Sequence, residues 1–134
     1  MLPLFVYGTL LPGEINYTRY CQGRLVAQQR AYCRGRLYAL NLGYPALSWG
    51  QDRVWGYLLH FSHAQDLQAL DQLEDYQPGR SASANEYQRC LITTYNSGDR
   101  PLETAWVYRM APERIRHHQG QYLSSGQWSS PRCQ

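Results

Sequence analysis

Apolar positions in this chain fall mostly into short runs with strand-like spacing, separated by glycine, proline and asparagine. Leu2 to Tyr7 is almost continuously apolar and contains Phe, Val and Tyr; it predicts a buried strand. Gly8 and Gly13 bracket the next segment, and Glu14 to Cys21 predicts a short helix. β character returns from Gly23 to Ala39 through Leu25, Val26, Tyr32, Leu37 and Tyr38. Asn41-Leu-Gly-Tyr-Pro45 has turn chemistry. Val54 to Phe61 predicts a strand. Glu86 to Tyr95 and Glu103 to Met110 predict two more, joined by a hairpin loop at Asn96-Ser-Gly-Asp99. In the last of these, Thr104, Trp106 and Tyr108 share one face.

One stretch changes period. Leu67, Leu70 and Leu73/Glu74 recur at helical spacing. Ser62 followed by Gln65 reads as a capping box. The helix is expected to stop near Asp75, ahead of Pro78 and Gly79, with a polar loop over Gln77 to Asn85. About five strands, one well-marked helix and a shorter second one predict an α+β fold: a small, mostly antiparallel β-barrel with flanking helices. No repeat or linker interrupts the 134 residues, which read as a single domain over 1–134.

Composition narrows the function classes. Hydrophobic residues at 43% and charged residues at 17% supply a core. The apolar runs are far shorter than the roughly 20 residues of a membrane helix, and the N-terminus lacks the basic start of a secretory signal. A cytoplasmic protein without a membrane partner is expected. Cys21, Cys33, Cys90 and Cys133 are unevenly spaced, with no C-x-x-C pair, and read as reduced thiols with no metal site. The net charge of +3 rests on 13 arginines and no lysine, which excludes a Schiff-base or phosphate-loop lysine. Arg34 and Arg36 form the densest basic spot, but no stripe of stacking aromatics accompanies them, so no nucleic-acid partner is expected. The four histidines form no triad, and no nucleophile elbow is present.

Two features carry candidate chemistry. On a helical wheel Glu74 falls between Leu67 and Leu70, on the face that must bury, with Asp71 at the edge of that face. An inward carboxylate costs free energy unless something uses it. Its place in the last turn and its burial both push its pKa upward, toward the range of a general base. The alternative is a carboxylate paired with an interior arginine or tyrosine hydroxyl. The second feature is the turn Tyr7-Gly8-Thr9-Leu10, where a buried strand ends and backbone N–H groups lose their ladder partners. Such groups form an anion-holding nest; the alternative is an ordinary strand end with Gly8 at positive φ. Among 12 tyrosines, Tyr87 and Tyr108 are the best candidates to line a polar pocket, because both lie on strands after the Glu74 helix.

These segments together resemble a known family. Phe5-Val-Tyr-Gly-Thr-Leu-Leu-Pro-Gly13 is similar to the Y-G-[ST]-L signature of the γ-glutamylcyclotransferase-like (AIG2-like) family. Leu70-Asp-Gln-Leu-Glu-Asp-Tyr76 resembles its L-D-x-x-E segment, and Asn85-Glu-Tyr-Gln-Arg89 its Y-x-R strand. Gly43-Tyr-Pro45 and Tyr122-Leu-Ser-Ser-Gly-Gln-Trp128 are similar to further landmarks. Thr9 stands where some members carry Ser, and Gln127 where many carry Asp. The resemblance implies a small barrel with flanking helices. It also implies conversion of a small γ-glutamyl compound to 5-oxoproline with release of an amine or amino acid, without metal or cofactor. Glu74 would be the general acid/base and the amides of Gly8, Thr9 and Leu10 would grip the substrate. Tyr7 would form a pocket wall, Tyr87 would donate to the substrate or orient Glu74, and Tyr108 would be a further binding residue. A monomer or weak homodimer is expected. The competing readings are a non-catalytic ligand-binding or interaction module on the same barrel, and an RNA-binding barrel that uses the arginines.

Overall fold

A computed structural model describes residues 1–74 and 86–129. In chain order its elements are β1 (Leu4–Val6), α1 (Ile15–Tyr20), β2 (Leu25–Ala39), β3 (Pro45–Phe61), α2 (Gln65–Leu73), β4 (Gln88–Tyr95), β5 (Pro101–Arg109), α3 (Pro112–His117) and β6 (Gln121–Tyr122). β2 and β3 form a long antiparallel hairpin from Leu25↔Phe61 to Ala39↔Pro45. β1 inserts between β3 and β5, antiparallel to the first and parallel to the second. β4 pairs antiparallel with β5, and Tyr95 of β4 meets Tyr32 of β2. The order β3-β1-β5-β4-β2 therefore closes through the β2–β3 pairing into a five-stranded barrel, as the mostly antiparallel α+β expectation holds. Closure removes the exposed sheet edges that an open sheet would present.

The period-2 alternation explains the apolar run at the start of the chain. Phe5 and Tyr7 point into the barrel with Cys33, Leu37, Leu47, Val54, Leu58 and Val107. Leu4 and Val6 point outward into a second cluster with Cys21, Leu59, Leu70, Tyr108, Met110 and Ile115. β1 is thus buried on both faces. Its close seat on β3 needs Gly56, where an added Cβ would lie 1.9 Å from the Val6 carbonyl oxygen.

Several elements differ from expectation. β3 begins at Pro45, nine residues before the expected Val54. Pairing passes from Gly35↔Asp52 directly to Arg36↔Ser48, so Trp49, Gly50 and Gln51 bulge out of the ladder and break the strand pattern ahead of Val54. The capping box does not form. α2 starts after Ala64 with no side-chain cap, while the Ser62 N–H and hydroxyl both donate to the Arg24 carbonyl, at 2.8 and 3.1 Å. α3 was not foreseen, and only its Ile115 is buried. Asp75, the polar loop over 77–85 and Cys133 lie outside the described residues; Cys21, Cys33 and Cys90 are free thiols.

Arg34 and Arg36 are exposed, and the structure supplies aromatic neighbours that the sequence did not reveal. The Arg34 guanidinium lies over Tyr32 and that of Arg36 over Tyr122, at 5.4 and 4.2 Å from the ring centres. No helix among the described residues is long and apolar enough to cross a membrane.

Candidate active site

The end of β1, the start of β3, the end of α2 and the outer face of β4–β5 enclose a pocket of about 180 Å³. That is several times the space one water requires. Tyr7, Gly8, Thr9, Leu10, Glu74, Tyr87 and Tyr108 all line it, so the structure brings every sequence-predicted site residue to one cavity. Asn16, Tyr44, Pro45 and Glu86 line it as well. Nothing local in the sequence singles out Asn16; Tyr44, Pro45 and Glu86 lie within segments that resemble family landmarks.

Glu74 is the C-terminal cap of α2, and its N–H bonds to the Leu70 carbonyl at 2.9 Å. Its carboxyl receives no hydrogen bond or ion pair from the described residues. Burial, and then the negative charge of Asp71 one helical turn earlier, push its pKa from 4.5 up to about 8. The sequence reading anticipated the direction and the burial, but it named the helix dipole where the neighbouring carboxylate acts. Asp71 itself is buried rather than at the edge of the apolar face. It is covered by side chains from two strands, with the Tyr108 hydroxyl and the Arg89 guanidinium both reaching its carboxylate.

Opposite Glu74 the chain turns sharply at residues 7–10. Tyr7 is fixed from two sides: its hydroxyl donates to the Tyr108 carbonyl at 2.5 Å and accepts from the Leu47 N–H at 3.3 Å. Gly8 is not at positive φ, against the alternative weighed for it. Its reason is proximity: an added Cβ would meet Pro45 Cγ at 2.7 Å. Asn16 of α1 fastens the turn, its N–H donating to the Thr9 carbonyl at 2.9 Å and its Nδ2 to Thr9 Oγ1 at 3.0 Å. The amides of Gly8, Thr9 and Leu10 donate to no acceptor among the described residues. The three residues line the pocket, and amides without a partner can serve as donors to a bound group.

Tyr87, just before β4, and Tyr108 on β5 have committed hydroxyls. Tyr87 donates to the Pro45 carbonyl at 2.8 Å, not toward Glu74. Tyr108 donates to Asp71 Oδ1 at 2.7 Å. Burial first, and nearby carboxylates after it, raise the pKa of Tyr7, Tyr87 and Tyr108 above the ordinary 10, so all three are neutral donors. Glu86 is held by Arg114 Nη1 at 2.9 Å and by His118 Nε2 at 2.8 Å. No group of three or more His, Cys, Asp or Glu side chains among the described residues is arranged to hold a metal ion.

The pocket thus combines one unpaired carboxyl of raised pKa, a turn whose amides have no acceptor among the described residues, and walls of neutral tyrosines. Known proteins share its framework. A family model described as gamma-glutamyl cyclotransferase, AIG2-like, matches residues 4–130. A Vibrio cholerae serotype O1 protein named "Putative gamma-glutamylcyclotransferase" is 34% identical over 125 residues, covering 93% of each chain. An AIG2-like protein from Mus musculus superimposes with a TM-score of 0.64 at 25% identity, covering 98% of this chain and 97% of that one. YkqA from Bacillus subtilis superimposes with a TM-score of 0.67 at 22% identity, a likeness of fold; this chain spans 39% of that longer one. The chain belongs to the gamma-glutamyl cyclotransferase, AIG2-like family.

Proposed function

We propose that this protein cyclises a γ-glutamyl compound to 5-oxoproline and releases the attached amine or amino acid, with Glu74 as general acid and base. The observation that carries this reading is the position of Glu74: an unpaired carboxyl with its pKa raised to about 8, opening into the same pocket as the amide turn. A family of cyclotransferase type supports it.

The substrate brings its own nucleophile. Glu74 in its ionised form takes a proton from the α-ammonium group. The freed amine attacks the γ-carbonyl carbon, forming the ring C–N bond and placing negative charge on the oxygen. Glu74 then delivers its proton to the departing nitrogen as the old C–N bond breaks, and the ring nitrogen sheds its extra proton. Holding the glutamyl chain folded is the largest task, since well-oriented intramolecular reactions save roughly 7–11 kcal/mol. The amides of residues 8–10 grip the α-carboxylate or the developing oxyanion. Tyr7, Tyr87 and Tyr108 form walls and leave little room for bulk water. Acid–base assistance by Glu74 contributes ~10²–10⁴ in rate.

The test is release of 5-oxoproline from a panel of γ-glutamyl amines, amino acids and peptides by the native protein and by Glu74→Gln. The variant keeps the shape and loses the base, and turnover should fall by about 10²-fold or more. Unchanged turnover in the variant overturns the mechanism. Binding of such compounds by the native protein without any product favours a ligand-binding module instead.

A further inference from the structure

Asp71 has no part in the reaction as written, yet it is the least exposed acidic residue among the described ones, at 8%. Both of its oxygens are assigned. Oδ1 accepts from the Tyr108 hydroxyl at 2.7 Å, and Oδ2 from Arg89 Nη1 at 2.8 Å. Arg89 and Tyr108 are direct register partners on β4 and β5, so the two strands present a two-pronged clamp to one carboxylate. The Arg89 guanidinium is braced in turn over the Trp106 ring, 4.6 Å from its centre. Residues three apart on a helix are neighbours on one face, which places Asp71 beside Glu74. Tyr108, which Asp71 holds, is itself a wall of the pocket.

We propose that Asp71 is a positioning residue of this site: clamped by Arg89 and Tyr108 one helical turn before Glu74, its fixed charge sets how readily Glu74 gives up its proton. This rests on Glu74 being the acid–base group. The other titratable groups around Glu74 are Tyr7 beyond β1, Tyr44 before β3, Glu86 and Tyr87 at β4, and Tyr108 on β5. The tyrosines are neutral near pH 7, and Glu86 is turned to Arg114 and His118. Asp71 is the charge that acts on Glu74 after burial, and Arg89 is the counter-charge that tempers it. The arrangement lets the barrel wall, through Arg89, reach the chemistry without touching substrate.

Two substitutions separate this from a purely structural tie between α2 and the barrel. Carbon-13 NMR of the side-chain carboxyls, in the substrate-free full chain, follows the titration of Glu74. Asp71→Asn removes the negative neighbour, and the Glu74 midpoint should fall by about one pH unit. Arg89→Gln removes the counter-charge, and the midpoint should rise. The acid limb of kcat/KM should move in the same two directions while KM stays near its native value. Midpoints that stay put, or that move the same way in both variants, overturn the proposal. If Asp71→Asn loses its dispersed amide spectrum, Arg89→Gln decides alone: an upward shift supports the proposal and no shift refutes it. The titration needs no substrate, so a native protein that turns over no γ-glutamyl compound defeats the functional reading without touching this result.

Discussion

Replacing Glu74 with glutamine should make the protein more stable at neutral pH while it removes activity. The raised pKa means that the folded state holds the proton on Glu74 at pH values where the unfolded chain releases it. Between 4.5 and about 8 the native state therefore binds more protons, and its stability falls as pH rises through that window. At 1.36 kcal/mol per pH unit, the full difference approaches about 5 kcal/mol above pH 8, of which about 3 kcal/mol is already present at pH 7. The glutamine amide is polar too, and leaving it without partners returns about 1 kcal/mol. A net gain of about 2 kcal/mol at pH 7 follows, or roughly 6–10 °C in Tm for a chain of this size. Urea unfolding followed by tryptophan fluorescence, on native protein and variant at pH 4.5, 7 and 8.5, measures the gap. It should be near zero at pH 4.5 and widen toward pH 8.5, because all other carboxylates are common to both proteins. A gap of equal size at all three pH values would refute the reasoning, since the cost would then lie in packing rather than in the charge.

Two further predictions concern neighbouring parts of the molecule. Gly8→Ala drives a methyl to within 2.7 Å of the Pro45 ring; denaturant midpoints should show a loss of about 1–3 kcal/mol, and displacement of the amide turn should lower kcat/KM by about 10²-fold. The thiols of Cys21 and Cys33 are pushed up to about 12 by burial, so iodoacetamide at pH 8 should leave both unmodified in the folded protein and label both in urea, as read by peptide mass mapping.

Much of the framework was legible because it is local. A continuous apolar run marked β1, strand content on either side of a hairpin loop marked β4 and β5, helical period marked α2, and the wheel turned Glu74 inward. What escaped notice depends on partners far along the chain. Ser62 has the sequence of a helix cap, but the Arg24 carbonyl at the far end of the β2–β3 hairpin takes its hydrogen bonds. Gly8 reads as a residue wanted for its backbone freedom, and only the approach of Pro45 shows that it is wanted for its lack of a side chain. Asp71 looks like an edge residue until Arg89 and Tyr108 arrive from the opposite strands. α3 did carry a local sign, Pro112 at its first turn followed by Glu113 and a basic last turn, but it shows too little apolar periodicity to stand out.

The parallel seat of β1 beside β5 has a consequence for when the molecule becomes competent. The Trp106 N–H donates to the Pro3 carbonyl, and the Tyr7 hydroxyl reaches the Tyr108 carbonyl across 101 positions of sequence. Contacts so distant are formed at a high loop-closure cost and come late in folding. The amide turn begins one residue after β1 ends, so its place depends on a strand held by β3 on one side and by β5 on the other. A ribosome-bound chain that has already built the β2–β3 hairpin and α2 can seat β1 on β3, yet Glu74 would still face a pocket without its Tyr108 wall. The pocket is complete only when β5 has joined β1, so residues from the first strand and from one of the last must meet before the site is whole.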